Sequence, residues 1–351
     1  MSITKKDFGM LKNKDAVSLY TITNKNGASV SIQTLGAGIQ SIYVPDRNGK
    51  LGDVVLGFDE PDYYVDGDLG FQGLAVGRVA NRIRDAKFEI DGVTYRTPAN
   101  QGTWTLHGGG RFSYTVWDVE EASENSITLK KFSPDMEDGF PGNFTMKIKY
   151  TFDDSNVLRI DYSVASDKKT VANPTNHAYF NLSCDPEKTI EEHLLKINAD
   201  RFTQTDENQL PTGELPELKG TMLDFSEMHK IGEKIDEPFS AVIDGIGYDN
   251  NYCLKKNFGE FSEAAVLYDP ESGRKLSVYT DLPGIQLYCG GWLAKDGNPG
   301  KANGKVTYRR GVALETQFYP DSVNFPDKFP FKYVEPNEEF KTTTEFRFTA
   351  E

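Results

Sequence analysis

The sequence predicts an all-β protein, a large antiparallel β-sandwich formed as one domain over residues 1–351. Three observations predict it. Apolar and polar residues alternate with period two through much of the chain. Turn residues punctuate the runs, with 32 glycines and 17 prolines spread along the chain. Long apolar stripes at helical spacing are absent, and no fixed-period repeat or low-complexity linker divides the sequence.

From the N-terminus, Val30 to Leu35 reads as a strand, and Ile42-Tyr43-Val44-Pro45-Asp46 as a strand ending in a turn. Between them, Gly36-Ala37-Gly38-Ile39-Gln40-Ser41 nearly matches a dinucleotide fingerprint. Its third glycine is replaced by Ser41, and the strand that follows leaves no helix N-terminus to face a phosphate. The fingerprint is rejected, and a bulge or close strand crossing is expected instead. Phe88-Glu89-Ile90 and Val93-Thr94-Tyr95 flank Asp91-Gly92, a strong hairpin signal. Phe144, Met146, Ile148, Tyr150 and Phe152 alternate with polar residues. Beyond Asp153-Asp154-Ser155-Asn156, Leu158, Ile160, Tyr162 and Val164 do the same, which predicts a second hairpin with one buried face per strand. Thr189-Ile190-Glu191-Glu192 has a capping-box pattern. Leu195, Ile197 and Ala199 nevertheless alternate with polar residues, and a strand from about Leu194 to Asn198 is the preferred reading. Val266-Leu267-Tyr268 and Leu276-Ser277-Val278-Tyr279 flank Asp269 to Arg274 as a third hairpin.

Charge and cysteine content narrow the function. The net charge of −14 argues against nucleic acid and anionic membranes as partners, and mildly against a strongly anionic substrate. The opening MSITKKDFGMLKNKD lacks an apolar signal region, and no run reaches the length of a membrane span. Cys184, Cys253 and Cys289 are scattered without paired spacing, which predicts free thiols and a cytoplasmic protein. Ligand-type residues never cluster at finger spacing, so no structural zinc site is expected. The sequence sets no oligomeric state.

Two motifs carry the candidate chemistry. Thr175-Asn176-His177-Ala178-Tyr179-Phe180-Asn181-Leu182 places one of only four histidines among apolar and amide neighbours, where a loop enters a strand and the imidazole is either functional or a satisfied core histidine. Gly311 to Pro320 places Glu315 inside an apolar strand, where a carboxylate is partnered, functional or turned outward. An imidazole and a carboxylate in semi-buried strands are what proton transfer near neutral pH needs, because burial moves both pKa values. Gly77-Arg78-Val79-Ala80-Asn81-Arg82-Ile83 either presents Asn81 and Arg82 to a ligand or forms a surface turn with solvated arginines. His107 precedes a glycine run that admits close backbone approach or simply forms a loop. Asp249, beside Tyr248, is a candidate acceptor for ligand hydroxyls, and Gln286 sets one amide among apolar strand residues, facing a polar cleft or a rim; the alternative for each is plain loop or edge polarity. His193 and His229 have charged neighbours and are assigned no function.

Together, GRVANRI, LHGG, TNHAYFNL, Tyr248-Asp249, IQLY and ALETQFYPDSVNFP resemble the aldose 1-epimerase family, in the family's order from about Gly77 to Pro326. The resemblance implies an antiparallel supersandwich that interconverts the α and β anomers of free aldoses of the glucose and galactose class, with no cofactor. It implies Glu315 as the general base at the C1 hydroxyl and His177 as the general acid at the ring oxygen. Asn81, Arg82, His107, Asp249 and Gln286 are implied substrate ligands. The chemistry needs Glu315 ionised and His177 protonated together, and their attraction is expected to favour that state. This chain departs from the family at Asn250, where histidine is usual, and at Cys289-Gly290-Gly291. Both departures fall where substrate contacts are expected. A hexose-6-phosphate 1-epimerase is an alternative, which several converging arginines would mark. Arg78, Arg82 and Arg84 lie near one motif, but on alternate positions of one strand or turn. A non-catalytic sugar-binding sandwich is the other alternative, and it would lack one of the proton-transfer residues.

Overall fold

The computed structural model describes residues 1–66, 70–237 and 246–351. Three antiparallel sheets dominate it. The first is a five-stranded meander of Ser2–Met10, Ala16–Thr23, Ser29–Gln33, Gly38–Pro45 and Leu51–Asp53. The near-fingerprint around Gly36 forms a tight crossing, as expected. The register shifts at Ser31/Ile32. Gly36 has φ 56°, and a Cβ there would lie 2.2 Å from the Ser113 carbonyl oxygen. Only glycine fits such an approach.

The second sheet has nine strands and contains two of the three predicted hairpins. Phe144–Phe152 pairs with Val157–Ser166, and Ser262–Tyr268 pairs with Arg274–Thr280. The long C-terminal strand Glu339–Ala350 lies between these two hairpins and pairs with both. The third predicted hairpin, Lys87–Ile90 with Val93–Arg96, stands as its own small sheet. The ambiguous segment resolves as Leu194–Ile197, a strand of the nine-stranded sheet, preceded by a single 3-10 turn at Ile190–Glu192. The capping box does not form. Thr189 makes no cap bond, and its hydroxyl donates instead to Glu191 at 3.2 Å.

The third sheet has the strand order Tyr179–Phe180, Val312–Gln317, Gly284–Tyr288, Asp249–Leu254, Ala199–Phe202. It packs against the nine-stranded sheet. The Phe180 ring meets Phe346 edge-on at 5.0 Å, and the Thr316 and Thr344 hydroxyls share a 2.5 Å hydrogen bond. One hydrophobic cluster runs between the sheets from Ile22 to Phe348. Among the described residues the only helical pieces are 3-10 turns of three or four residues, and no helix is long and apolar enough to cross a membrane. Cys184, Cys253 and Cys289 are free, and burial raises all three thiol pKa values.

Candidate active site

The third sheet assembles the site by register. Asn251, Gln286 and Glu315 lie opposite one another across three strands, as do Asp249, Tyr288 and Ala313. Side chains alternate along a strand, so Asp249, Gln286, Tyr288 and Glu315 share one face. Leu287 and Leu314 point the other way, into the core. Asn250 shares that opposite face and is buried. The departure from the family at this position therefore lies outside the cavity. The glycine departure has a packing reason. A Cβ on Gly291 would sit 1.9 Å from the Ile246 carbonyl oxygen, so glycine is needed where this loop crosses the chain leading to Asp249.

His177 enters from the loop between Thr175–Asn176 and Tyr179–Phe180. Its backbone is pinned on both sides. The His177 N–H donates to Leu74 O, and its carbonyl accepts from Gly73 N–H, each at 2.9 Å. The ring stacks on Tyr179 at 4.8 Å and meets His107 edge-on at 5.4 Å. Its Nε2 lies 3.5 Å from Glu315 Oε1. The two residues are 4% and 2% exposed, so the pair is almost fully desolvated. His177 Nδ1 and Glu315 Oε2 have no protein hydrogen-bond partner among the described residues.

Above this pair is a cavity of about 300 Å³. Phe71, Asn81, Arg82, Gln101, His107, His177, Asp249, Tyr288, Trp292 and Glu315 line it, with Gly70, Leu106 and Tyr179. Gln286 stands behind the wall. It is 2% exposed, donates to Asp249 Oδ1 at 2.6 Å and accepts from Gln317 at 3.1 Å. It reaches the cavity only through Asp249. His107 and Asn81 are tied to each other. The Asn81 N–H donates to His107 Nδ1 at 3.1 Å, and the His107 N–H donates to Asn81 O at 3.0 Å. The glycine after His107 is required, because a Cβ on Gly108 would sit 2.4 Å from Gly77 O.

The arginines of GRVANRI and its flank separate, which corrects the surface-turn reading. Arg78 is 1% exposed, donates to Ser133 and to the Pro141 carbonyl, and lies 4.5 Å over the Phe144 ring. Arg84 binds Asp206 at 3.1 Å and the Pro211 carbonyl at 2.9 Å. Only Arg82 reaches the cavity. Its Nε donates to Gln101 at 3.2 Å and its Nη2 to Gln209 at 2.5 Å, while Asp249 Oδ2 lies 3.7 Å away. Sequence reading did not single out Gln101, Gln209 or Trp292. The first two act through side-chain bonds to Arg82 that no local pattern marks. His193 and His229 lie outside the cavity.

Burial dominates the electrostatics. Desolvation pushes the Glu315 carboxyl well above the usual range, and nearby Asp249 adds to it against the opposing pull of Arg82. Desolvation draws His177 down to about 4. It also draws His107 well below its ordinary value, with further lowering from His177 and Arg82. Burial thus opposes the expected charged pair. Taking both groups out of water costs more than a 3.5 Å contact returns.

His107, His177 and Glu315 also bring ligand-type atoms within 4.8 Å of one another. His107 Nδ1 accepts from a backbone N–H, so Nε2 keeps the proton and has no lone pair for a metal. The remaining imidazole and carboxylate fall short of the three protein ligands usual for a catalytic zinc.

A buried imidazole and carboxylate under a cavity lined by polar and aromatic side chains, on a β-sandwich, form an arrangement suited to proton-transfer chemistry on a small polar molecule. The sequence profile of the aldose 1-epimerase family matches residues 18–347. The chain is 38% identical over 323 residues to galactose mutarotase of Bos taurus, covering 92% of this chain and 91% of that protein. It is 32% identical to aldose 1-epimerase of Escherichia coli (strain K12), covering 95% of each. A solved structure of an aldose epimerase homologue from C. elegans superposes with a TM-score of 0.86 at 30% identity, covering 95% of this chain and 99% of that one. The chain belongs to the aldose 1-epimerase family, isomerases that interconvert the anomers of aldoses.

Proposed function

We propose that this protein interconverts the α and β anomers of free aldoses, with Glu315 as base and His177 as acid. The observation that carries the assignment is the 3.5 Å approach of the two groups at the cavity floor. Glu315 takes the proton from the C1 hydroxyl while His177 delivers one to the ring oxygen. The C1–O5 bond breaks and an open-chain aldehyde results. Rotation about C1–C2 presents the other carbonyl face, and closure reverses both transfers. Each group contributes typically 10²–10⁴-fold.

The proton inventory suits this. A neutral His177 with a protonated Glu315 holds as many protons as the imidazolium–carboxylate pair. Burial favours the neutral arrangement, and sugar hydroxyls entering the cavity solvate the charged one. The pair titrates as a unit rather than as two independent residues.

Arg82, Asp249, Asn81 and His107 bind the sugar, and Gln286 acts by fixing Asp249. The substrate is uncharged. Of the three clustered arginines only Arg82 faces the cavity, and the Asp249 carboxylate stands beside it, opposing a phosphate. The chain works as one domain, because the site draws on residues from Phe71 to Glu315 over a shared core. Polarimetry with fresh α-D-glucose and α-D-galactose tests the reading. Acceleration above the uncatalysed rate supports it. A clear preference for glucose 6-phosphate would reassign the substrate, and sugar binding without acceleration would make the protein a lectin-like sandwich.

A further inference from the structure

We propose that Gln209 is a positioning residue that sets sugar specificity by holding Arg82 and Asp249 apart. This rests on the mutarotase reading of the site. Arg82 Nη2 and Asp249 Oδ2 are 3.7 Å apart, and both side chains are largely buried. A direct charge-assisted hydrogen bond would close that gap to about 2.8 Å. It does not close because one amide occupies it from both sides. The Gln209 carbonyl oxygen accepts from Arg82 Nη2 at 2.5 Å, and its NH₂ donates to Asp249 Oδ2 at 3.1 Å. A neutral amide offers an acceptor to the cation and a donor to the carboxylate, so it satisfies both without cancelling either charge. Without it the two ions would pair directly, and each would lose the edge it presents to the sugar.

The surrounding chain is built to place this one side chain. Gln209 is a non-glycine residue at φ 60°, in the left-handed region. Such a conformation costs energy and persists where neighbouring structure over-determines it. Here Asp206 does so. Its Oδ1 accepts from the N–H groups of Asn208 and Leu210 at 2.9 and 3.0 Å, and its carbonyl accepts from Gln209 N–H at 2.9 Å. Arg84 Nη2 then pins Asp206 Oδ2 at 3.1 Å. Arg82 and Arg84 therefore have linked tasks, one facing the sugar and the other anchoring the turn that carries the spacer.

The test measures galactose binding by tryptophan fluorescence and mutarotation by polarimetry, in wild type, Gln209→Met and Gln209→Glu. D-galactose and its monodeoxy analogues are the probes. Gln209→Met keeps the length and loses the amide. Gln209→Glu keeps the acceptor for Arg82 and sets a like charge against Asp249. In both variants KM and Kd for D-galactose rise about tenfold, the worth of roughly one lost hydrogen bond, and the fall in kcat is smaller. The wild-type penalty for the deoxy analogue that lacks the hydroxyl read by Arg82 and Asp249 shrinks in both variants. A residue that only stabilised its turn would lower the melting temperature and leave that ratio alone. Folded variants with wild-type Kd and wild-type discrimination would overturn the proposal. If the wild type binds galactose without accelerating mutarotation, the catalytic reading fails, and the Kd comparison still decides the role of Gln209.

Discussion

His177 and His193 are alike in nearly every property of an isolated residue. They are 4% and 1% exposed, desolvation draws each down to about 4, and among the described residues Nδ1 has no hydrogen-bond partner in either. They differ in what meets Nε2. His193 Nε2 accepts from the Leu182 backbone N–H at 2.9 Å, a closed bond inside the core. His177 Nε2 faces Glu315 at 3.5 Å beneath an open cavity. A perturbed pKa marks both, and only the partner and the adjoining space separate a reactive imidazole from a structural one.

The most direct way to break this contrast is to remove the partner. Glu315→Gln keeps the shape and takes away the proton acceptor. We expect kcat to fall by about 10²–10⁴ with folding retained. Near-normal polarimetric rates from the folded variant would show that the two histidines do not differ in the way argued. Next in size is the pair itself. His177→Asn lowers kcat more than it raises KM, because proton delivery to the ring oxygen belongs to the transition state. His193→Asn leaves kcat close to wild type and costs about 1–3 kcal/mol in denaturant unfolding, since the Leu182 N–H loses its acceptor. Equal kinetic behaviour of the two variants would make His177 a core histidine as well.

The arginines sharpen the same point at lower amplitude. Arg82→Lys raises KM for D-galactose about tenfold, because an ammonium cannot donate to Gln101 and Gln209 from one plane. It should not improve use of galactose 6-phosphate. A gain in kcat/KM for the phosphate in a coupled assay would mean that Asp249 does not set the sign of the site.

The contrast also explains what the sequence could and could not disclose. Period-two alternation locates the Phe144–Phe152 and Val157–Ser166 strands because each buries one face, and that pressure acts locally. Glu315 and His177 stand out because a carboxylate and a scarce imidazole sit in apolar strands. Arg78 defeats this logic. Its guanidinium is buried in a cage of Ser133, Pro141 and Phe144, 55 to 66 positions along the chain, so its neighbours in sequence give a false picture of solvent. Gln209 is harder still. It meets Arg82 across 127 positions and Asp249 across 40, in a turn whose polar composition resembles any surface loop. Gln286 reads from sequence as a polar residue facing a cleft or a rim, and only strand register and its bond to Asp249 place it behind the cavity wall.

The smallest effect we expect concerns pH, and here the two kinds of buried group have opposite signs. A histidine whose folded pKa is depressed to about 4 from 6.5 binds fewer protons folded than unfolded. Its contribution is complete above 6.5 and is lost as pH falls through about 4. His193 acts this way, so His193→Asn should flatten the acid side of the stability profile even though it spares kcat. Glu315 runs the other way. Its folded pKa is raised above 4.5, so the fold binds more protons than the unfolded chain, and stability is lost as pH rises above that value. Glu315→Gln removes this loss. Its stability relative to wild type should be near zero at about pH 4 and shift in the variant's favour as pH rises to about 7. Urea titrations of both proteins at the two pH values measure it. A difference that stays constant with pH would mean that burial exacts no ionisation cost from Glu315. The contrast with His193 would then rest on Nε2 geometry alone.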